Sequence, residues 1–193
     1  MVKTASTMLP LGTPAPDFHL PDVVSGKVIS RSAYYGDPLL IMFICAHCPF
    51  VVHIEEELAK LGEDYGPTSL KILAISANDV KSHPGDAPEK LAEQARKAGF
   101  NFPYLHDKTQ ETAKAYTAAC TPDFFLFDEN HRLKYRGQLD SSRPGSEIPV
   151  TGADLRAAID AMLSGHEITL DQQPSIGCNI KWTPGNEPGY FFK

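Results

Sequence analysis

The strongest pattern in the chain is a change of hydrophobic period around residue 45. Residues 39–44 form an unbroken apolar run, which is typical of a strand buried on both faces. Beyond residue 48 the apolar positions recur at helical spacing: they are Val51, Ile54, Leu58 and Leu61. Charged residues occupy the other faces of this segment. The pattern therefore predicts a central strand that leads directly into an amphipathic helix.

A second strand and a second helix follow. Residues 70–76 form another apolar run, and we expect this strand to lie parallel to the first because the helix between them makes a right-handed crossover. Asp86 and Glu89 have the spacing of a capping box, and Gly99 suits the position just beyond a helix end. These residues predict a helix from about residue 87 to residue 98.

One hairpin is predicted before these two strands and two helices, and another is predicted after them. Residues 18–20 and 27–29 are extended segments around a Ser-Gly turn, so they form an N-terminal hairpin. Residues 123–127 and 132–137 flank an Asp-Glu-Asn turn and form a second, antiparallel hairpin.

Two further helices and a tail complete the chain. Asp107 and Gln110 predict a short helix that reaches about Ala118. Thr151 is expected to cap a last helix, whose shared apolar face is formed by Leu155, Ile159 and Met162. Residues 170–193 are rich in Pro, Gly and aromatic residues without a period, and we expect an irregular segment there.

Length and charge limit the classes of function. The chain has 193 residues, which suffices for one domain with a substantial core and leaves little room for a second. Its net charge of −6 comes from charges of both signs spread along the chain, so the basic stripe of a nucleic-acid-binding protein is missing. The sequence has neither a secretory signal nor an apolar run of membrane-spanning length. We therefore expect a cytoplasmic protein without nucleic-acid or membrane partners.

Cys45 and Cys48 lie at the junction between the central strand and the helix. Pro49 fits the first helical turn, because its missing N–H group is not needed there. The unpaired amides and the positive end of the helix dipole then face the sulfurs and favour a thiolate. Four cysteines are too few for a disulfide-rich secreted scaffold, which leaves catalytic and metal-binding roles open.

This arrangement resembles the thioredoxin fold, in which a Cys-x-x-Cys sequence follows a central strand. Three segments are similar, more closely, to peroxiredoxin-like members related to alkyl hydroperoxide reductase and thiol-specific antioxidant: Gly12–Leu20, Cys45–Val51 and Ala119–Phe127. The resemblance implies an α/β thioredoxin-like fold with a central mixed β-sheet flanked by helices, an N-terminal β-hairpin and an irregular C-terminal tail. We place the domain at residues 10–168 and the tail, packed on the domain, at residues 169–193.

Within such a fold, Cys45 is the candidate nucleophile and Cys48 the resolving thiol. The Cys45 thiolate attacks a partner disulfide, and Cys48 then attacks the mixed disulfide and releases the reduced partner. This chemistry needs no cofactor beyond the redox-active Cys45–Cys48 disulfide, and we expect no metal. The alternative is a structural thiol pair or half of a zinc site.

His47 lies between the two cysteines. A donating imidazole there stabilises the Cys45 thiolate in the oxidising thioredoxin-fold enzymes that the motif resembles, whereas an exposed imidazole would be only a spacer. Because a stabilised thiolate favours the reduced state, we expect a redox potential above thioredoxin's value of about −270 mV and near about −200 mV.

The resemblance also assigns roles to Thr121 and Pro122. Thioredoxin-fold proteins keep this Thr–Pro bond in cis opposite the cysteines, where the backbone before the proline pairs with a bound peptide. Cys120 is near this step and is either an additional redox thiol or a buried, inert one. Cys178 lies in the tail near the single tryptophan, and it is either an additional resolving thiol or a packed structural cysteine.

The sequence differs in two places from the motifs on which the known activities of these families depend. When the peroxiredoxin motif Pro-x-x-x-Thr-x-x-Cys is aligned on Cys48, Ile41 and Cys45 stand where the proline and threonine belong. Those residues position and polarise a peroxide, so peroxide reduction ranks second. The strand at residues 39–44 also lacks the carboxylate that assists the second cysteine of thioredoxins.

The leading hypothesis is therefore a thiol–disulfide oxidoreductase. Its partner would be a protein disulfide or dithiol, with thioredoxin or glutathione as the electron donor. The alternatives are a thiol-dependent peroxidase and a copper- or zinc-binding module that uses Cys45, Cys48 and a distant histidine.

Overall fold

The computed structural model describes residues 3–191, which form ten strands and four α-helices. The strands are β1 (Lys3–Ala5), β2 (His19–Pro21), β3 (Val28–Ser30), β4 (Leu39–Phe43), β5 (Lys71–Ser76), β6 (Tyr104–His106), β7 (Cys120–Thr121), β8 (Asp123–Phe127), β9 (Leu133–Gly137) and β10 (Ile176–Asn179). The helices are α1 (Pro49–Tyr65), α2 (Pro88–Ala98), α3 (Glu111–Ala115) and α4 (Ala153–Leu163), with short 3-10 helices at Arg31–Tyr34 and Pro84–Asp86.

Five strands form the central mixed sheet in the order β6-β5-β4-β8-β9. β4 lies parallel to β5 and antiparallel to β8, so that Leu39 is opposite Lys71 on one side and Phe127 on the other. Every residue of β4 is buried, because alternate side chains pack into two cores on opposite faces of the sheet. The predicted central strand, its parallel neighbour and the β8–β9 hairpin are thus confirmed.

The two cores differ in what covers them. Apolar residues of α1, α2 and α4 pack with Leu40 and Met42, whereas α3, the N-terminal segment and part of the tail pack with Ile41 and Phe43. The predicted apolar face of α1 is buried: its residues are Val51, Ile54, Leu58 and Leu61. Within residues 3–191, no helix has both the length and the apolar character needed to cross a membrane.

Two predicted helix caps are wrong. α2 begins after Ala87, which makes no side-chain cap. The carboxylate of Asp86, the predicted cap, accepts the Ala46 amide of the cysteine motif instead. α4 begins after Gly152, whose φ of 66° is left-handed, and Thr151 contributes only a backbone N–H group that donates to Asp140. At Asp86 a more distant partner competes successfully with the local cap, and at the start of α4 the Asp140 carboxylate accepts the N–H groups of Thr151 and Gly152.

The N-terminal hairpin is confirmed, since β2 and β3 pair in antiparallel register. α3 is shorter than predicted: it ends at Ala115 rather than at Ala118, and Thr117 then adopts a left-handed φ of 49° that a helix cannot continue through. Gly99 follows α2 with a φ of 76°, as expected for a helix C-terminus.

The C-terminal segment, in which the sequence shows no period, contributes the strand β10. It pairs antiparallel with β1 on one side and with β7 on the other, so that Cys178 lies opposite both Lys3 and Thr121. A four-residue strand in the middle of a small sheet owes its position to backbone pairing more than to an amphipathic pattern, which explains why periodicity did not predict it.

A buried ion pair anchors the strand that follows Pro122. Nη2 of Arg136 lies 3.4 Å from Oδ2 of Asp123, and both side chains are completely buried. Ser6 and the Ala119 amide also donate to this carboxylate, and the guanidinium carbon lies 4.7 Å from the centre of the Phe125 ring. Burial raises the pKa of Asp123, and the positive charge of Arg136 opposes that shift.

Removal of the guanidinium should leave the Asp123 carboxylate buried without its counter-charge. We therefore expect Arg136→Met to lower the free energy of unfolding in urea by about 3–5 kcal/mol. Arg96→Met, on the exposed face of α2, is the matched control and should change it by less than about 0.5 kcal/mol. Equal destabilisation by both variants would contradict the assigned role of the ion pair.

Candidate active site

The two motif cysteines lie between the end of β4 and the start of α1. Cys45 is in the loop after β4, Cys48 is the residue that precedes the first helical turn, and Pro49 is the first residue of α1. Within residues 3–191 no disulfide is formed, and all four cysteines of the chain are buried thiols. Cys45 is 1% exposed and Cys48 is fully buried, so a partner cannot reach either sulfur in this conformation.

Both sulfurs contact the residue before Pro122. The Sγ of Cys45 lies 3.4 Å from the hydroxyl oxygen of Thr121, and the Cys48 thiol donates to the Thr121 carbonyl at 3.2 Å. The Thr121–Pro122 peptide bond is cis, as predicted. The structure therefore brings four of the predicted site residues into one cluster.

The two thiols share a hydrogen bond that separates their pKa values. Donation from Cys45 lowers the pKa of Cys48 to about 4, and the same bond, together with burial and the nearby Asp86 carboxylate, raises the pKa of Cys45 well above its usual range. The Val51 amide at the start of α1 also stabilises the Cys48 anion. Negative charge is thus favoured on Cys48, whereas we expected it on Cys45.

The residue that reasoning from sequence missed is Asp86. Its carboxylate is fully buried and accepts four hydrogen bonds. Oδ1 accepts the backbone N–H groups of Ala46 at 2.9 Å and His47 at 3.2 Å, and Oδ2 accepts Nδ1 of His47 at 2.5 Å and the amide of Asn78 at 2.7 Å. No local signal identifies it, because Asp-x-x-Glu before a helix looks the same whether or not the carboxylate caps.

His47 is held by Asp86 rather than by the sulfur of Cys45. The two oxygens of Asp86 already accept N–H groups from Ala46 and Asn78, so Nδ1 of His47 is assigned as the donor of this hydrogen bond. The imidazole is 29% exposed, and it stacks on the ring of His83 with 5.2 Å between ring centres. Burial, and then the charge of His47, lowers the pKa of His83. The expected donation from the imidazole to Cys45 is therefore replaced by a His47–Asp86 pair beside Cys45.

Three potential metal ligands lie close together at this point. The ligand atoms of Cys45, His47 and Asp86 are all within 4.8 Å of one another. Thiolate, imidazole and carboxylate form a set that zinc accepts. This set differs from the predicted one, which combined both motif thiols with a distant histidine. A metal here would have to replace hydrogen bonds that Asp86 makes with the motif backbone.

The remaining two cysteines occupy different environments. Cys178, on β10, is buried beside the pair, and its side chain is hydrogen-bonded to Cys48. Cys120 is fully buried and contacts the backbone carbonyls of Pro122 at 3.4 Å and Ser175 at 3.9 Å. Burial raises the pKa of Cys120 well above its usual range. Of the two additional thiols, the structure brings Cys178 to the motif.

The backbone position that the resemblance assigns to a bound peptide is already occupied. β10 pairs with β7, with Cys178 opposite Thr121 and Asn179 opposite Cys120. A Cβ atom on Gly177 would lie only 2.0 Å from the Thr121 carbonyl oxygen, so this close approach requires glycine. The chain thus covers its own Thr–Pro step with β10.

A thioredoxin-like sheet, a Cys-x-x-Cys sequence at a helix N-terminus and a cis proline beside it define a thioredoxin-fold protein with a dithiol site. The sequence model of the AhpC/TSA family matches residues 11–136, and the chain belongs to that family.

Similar proteins agree with this assignment. The crystal structure of a conserved protein from Geobacillus kaustophilus is 49% identical, with a TM-score of 0.94 over 96% of this chain and 98% of that one. The thiol-disulfide oxidoreductase ResA of Geobacillus thermodenitrificans is 28% identical over 131 residues, which is 68% of this chain and 71% of ResA. A thiol:disulfide interchange protein DsbE from Chlorobium tepidum, 21% identical with a TM-score of 0.63 over 80% of this chain and 99% of its own, shares the fold.

Because β10 covers the site, its displacement should expose the thiols. We expect Gly177→Ala to increase the alkylation rate of Cys45 and Cys48 by at least about tenfold, which corresponds to about 1.4 kcal/mol in the opening equilibrium. Mass spectrometry of peptides from the native, alkylated protein measures these rates. Gly189→Ala is the control, because a Cβ there meets nothing within 4 Å. Unchanged rates in Gly177→Ala would show that β10 is not the barrier.

Proposed function

We propose that this chain is a thiol–disulfide oxidoreductase that exchanges disulfides with a protein partner through Cys45 and Cys48. The observation that carries the proposal is the contact of two hydrogen-bonded thiols, at the start of α1, with Thr121 of the cis Thr–Pro step. The naming of ResA as a thiol-disulfide oxidoreductase supports it.

Cys45 is the attacking sulfur in this proposal. It borders Ala46 and His47, which are both partly exposed, whereas Cys48 lies behind it between Thr121 and Cys178. The two sulfurs share one proton, and when it lies on Cys48 this thiol donates to the Thr121 carbonyl at 3.2 Å and Cys45 is the thiolate. Cys45 attacks from the state in which the shared proton lies on Cys48, because the two thiols titrate as a pair.

The exchange proceeds in two steps. In the first, Cys45 attacks one sulfur of the partner disulfide, forms a mixed disulfide and releases the other partner sulfur as a thiolate, which takes up a proton. In the second, Cys48 loses its proton and attacks the Cys45 sulfur, and the second partner thiol leaves. The partner gains two electrons and the chain becomes the Cys45–Cys48 disulfide. Thioredoxin or glutathione would restore the dithiol by the reverse exchange, without a further cofactor.

The peroxidase alternative receives less support from the site. Ile41 and Cys45 occupy the positions of the peroxide-polarising proline and threonine, and Ile41 is buried among apolar side chains. Peroxide reduction by this chain would therefore need a different polarising group.

Trapping tests which sulfur attacks. Incubation of the Cys48→Ser variant with cell extract should accumulate mixed disulfides at Cys45, because the resolving thiol is absent. The Cys45→Ser/Cys178→Ser variant is the matched comparison, because Cys178 is then absent and does not resolve an adduct on Cys48, and it should accumulate few. Mixed disulfides formed mainly by Cys45→Ser/Cys178→Ser would assign the attack to Cys48. Saturable consumption of hydrogen peroxide by the wild-type protein, without mixed disulfides in either variant, would favour the peroxidase.

The redox potential tests the roles of Asp86 and His47. Asp86→Asn removes a negative charge beside Cys45, which stabilises the thiolate and hence the reduced form, so the potential should rise on the order of 30 mV, or about 1.4 kcal/mol. His47→Ala leaves that charge without its imidazole partner and should lower the potential. The expectation of a value above about −270 mV rests on imidazole donation to Cys45, which the His47–Asp86 pair replaces, so the wild-type potential stays a prediction.

Equilibration of each variant with glutathione buffers gives these potentials. His166→Ala is the control, because this exposed residue follows α4 and should leave the potential unchanged. Shifts of the same sign in Asp86→Asn and His47→Ala would contradict the electrostatic role of the pair.

A further inference from the structure

β10 is placed against the motif by specific features of the tail. It fills the gap between β1 and β7, and the missing side chain of Gly177 allows the backbone to approach the Thr121 carbonyl. The next residue, Cys178, is paired in register with Thr121, the residue that both motif sulfurs contact. Backbone pairing thus sets a third thiol opposite the residue that both motif sulfurs contact.

The sulfur of Cys178 faces Cys48 rather than solvent. Cys178 is 2% exposed and belongs to the same core cluster as Cys45 and Cys48. Burial, and then interaction with the Cys48 side chain, raises the pKa of Cys178 to about 12. Cys48 contacts the Thr121 carbonyl and Cys178 is paired in register with Thr121, so both cysteines meet at the same backbone position. A disulfide between them requires their sulfurs to approach to about 2 Å. Cys120, by contrast, contacts backbone carbonyls.

From this arrangement we propose that Cys178 is a third redox-active thiol, which exchanges with the Cys45–Cys48 disulfide and forms a Cys48–Cys178 disulfide. The inference rests on the proposed function, since it needs the motif disulfide as its substrate. Cys178 attacks the Cys48 sulfur, the Cys45–Cys48 bond breaks as the new bond forms, and the proton of Cys178 passes to the leaving Cys45. One disulfide is consumed and one is made, so no external oxidant or reductant takes part.

The product is an oxidised state in which the Cys48–Cys178 disulfide holds β10 against Thr121. Its disulfide joins two buried residues, and the backbone of Thr121 stays paired with β10 and closed to a partner. Cys45 returns to a thiol without a neighbouring sulfur to resolve it. The exchange therefore moves the disulfide to a buried site that a partner cannot reach until β10 is displaced.

The Cys45→Ser variant tests the proposal with glutathione disulfide as the oxidant. Cys48 forms a mixed disulfide with glutathione, and Cys178 should then displace glutathione and form the Cys48–Cys178 disulfide. Peptide mapping by mass spectrometry under acid quench should find this bond and little glutathione adduct. In Cys45→Ser/Cys178→Ser the adduct on Cys48 should persist, while Cys45→Ser/Cys120→Ser should behave as Cys45→Ser does.

Cys45→Ala repeats the experiment in case the serine perturbs the fold. Cys178 that stays reduced in both variants, under conditions in which the wild-type protein forms the Cys45–Cys48 disulfide, would overturn the proposal and leave the proposed function intact. A wild-type protein that forms neither disulfide would instead refute the proposed function. In the wild-type protein we expect the Cys45–Cys48 disulfide to appear first and the Cys48–Cys178 disulfide to follow.

Discussion

Thr121 is the residue at which the separate parts of the site meet. Its hydroxyl contacts Cys45, its carbonyl contacts Cys48, and its backbone pairs with β10. The pairing of β4 with β8 sets Asp123 opposite Phe43, which fixes the Thr121–Pro122 step next to the loop that carries the cysteines. The buried Arg136–Asp123 pair anchors the same strand from the other side. A change in any of these contacts moves the surroundings of both sulfurs.

Asp86 is the second organising residue, and its influence is electrostatic. A buried carboxylate is costly unless donors compensate it, and here four N–H groups do so. Two of these donors are the backbone amides of the residues between the cysteines, so these amides point to Asp86 and not to the sulfurs. Asp86 therefore withdraws stabilising donors from Cys45 and adds a negative charge beside it. Cys48, which keeps the Val51 amide, becomes the more acidic thiol.

The elements that sequence patterns predicted well depend on local periodicity. The buried strand β4, the parallel strand β5 and the apolar face of α1 could be predicted because apolar residues occur there in the pattern of a buried strand or at helical spacing. The hairpins follow from turn residues between apolar segments. The predicted cap at Asp86 failed because its carboxylate binds the amides of the cysteine motif, and the predicted cap at Thr151 failed because α4 begins after Gly152 instead.

The sequence by itself determined the class of fold, the position of Cys45 and Cys48 between a strand and a helix, and the candidate Thr121–Pro122 step. The tertiary structure alone decided that Asp86 holds His47, that the thiols are buried and that Cys178 lies beside Cys48. The physical reason is the range of the interactions. Period and turn chemistry are local, whereas Asp86 is 40 residues from Ala46 and Thr121 is 76 residues from Cys45 along the chain, so folding decides which buried polar groups become partners.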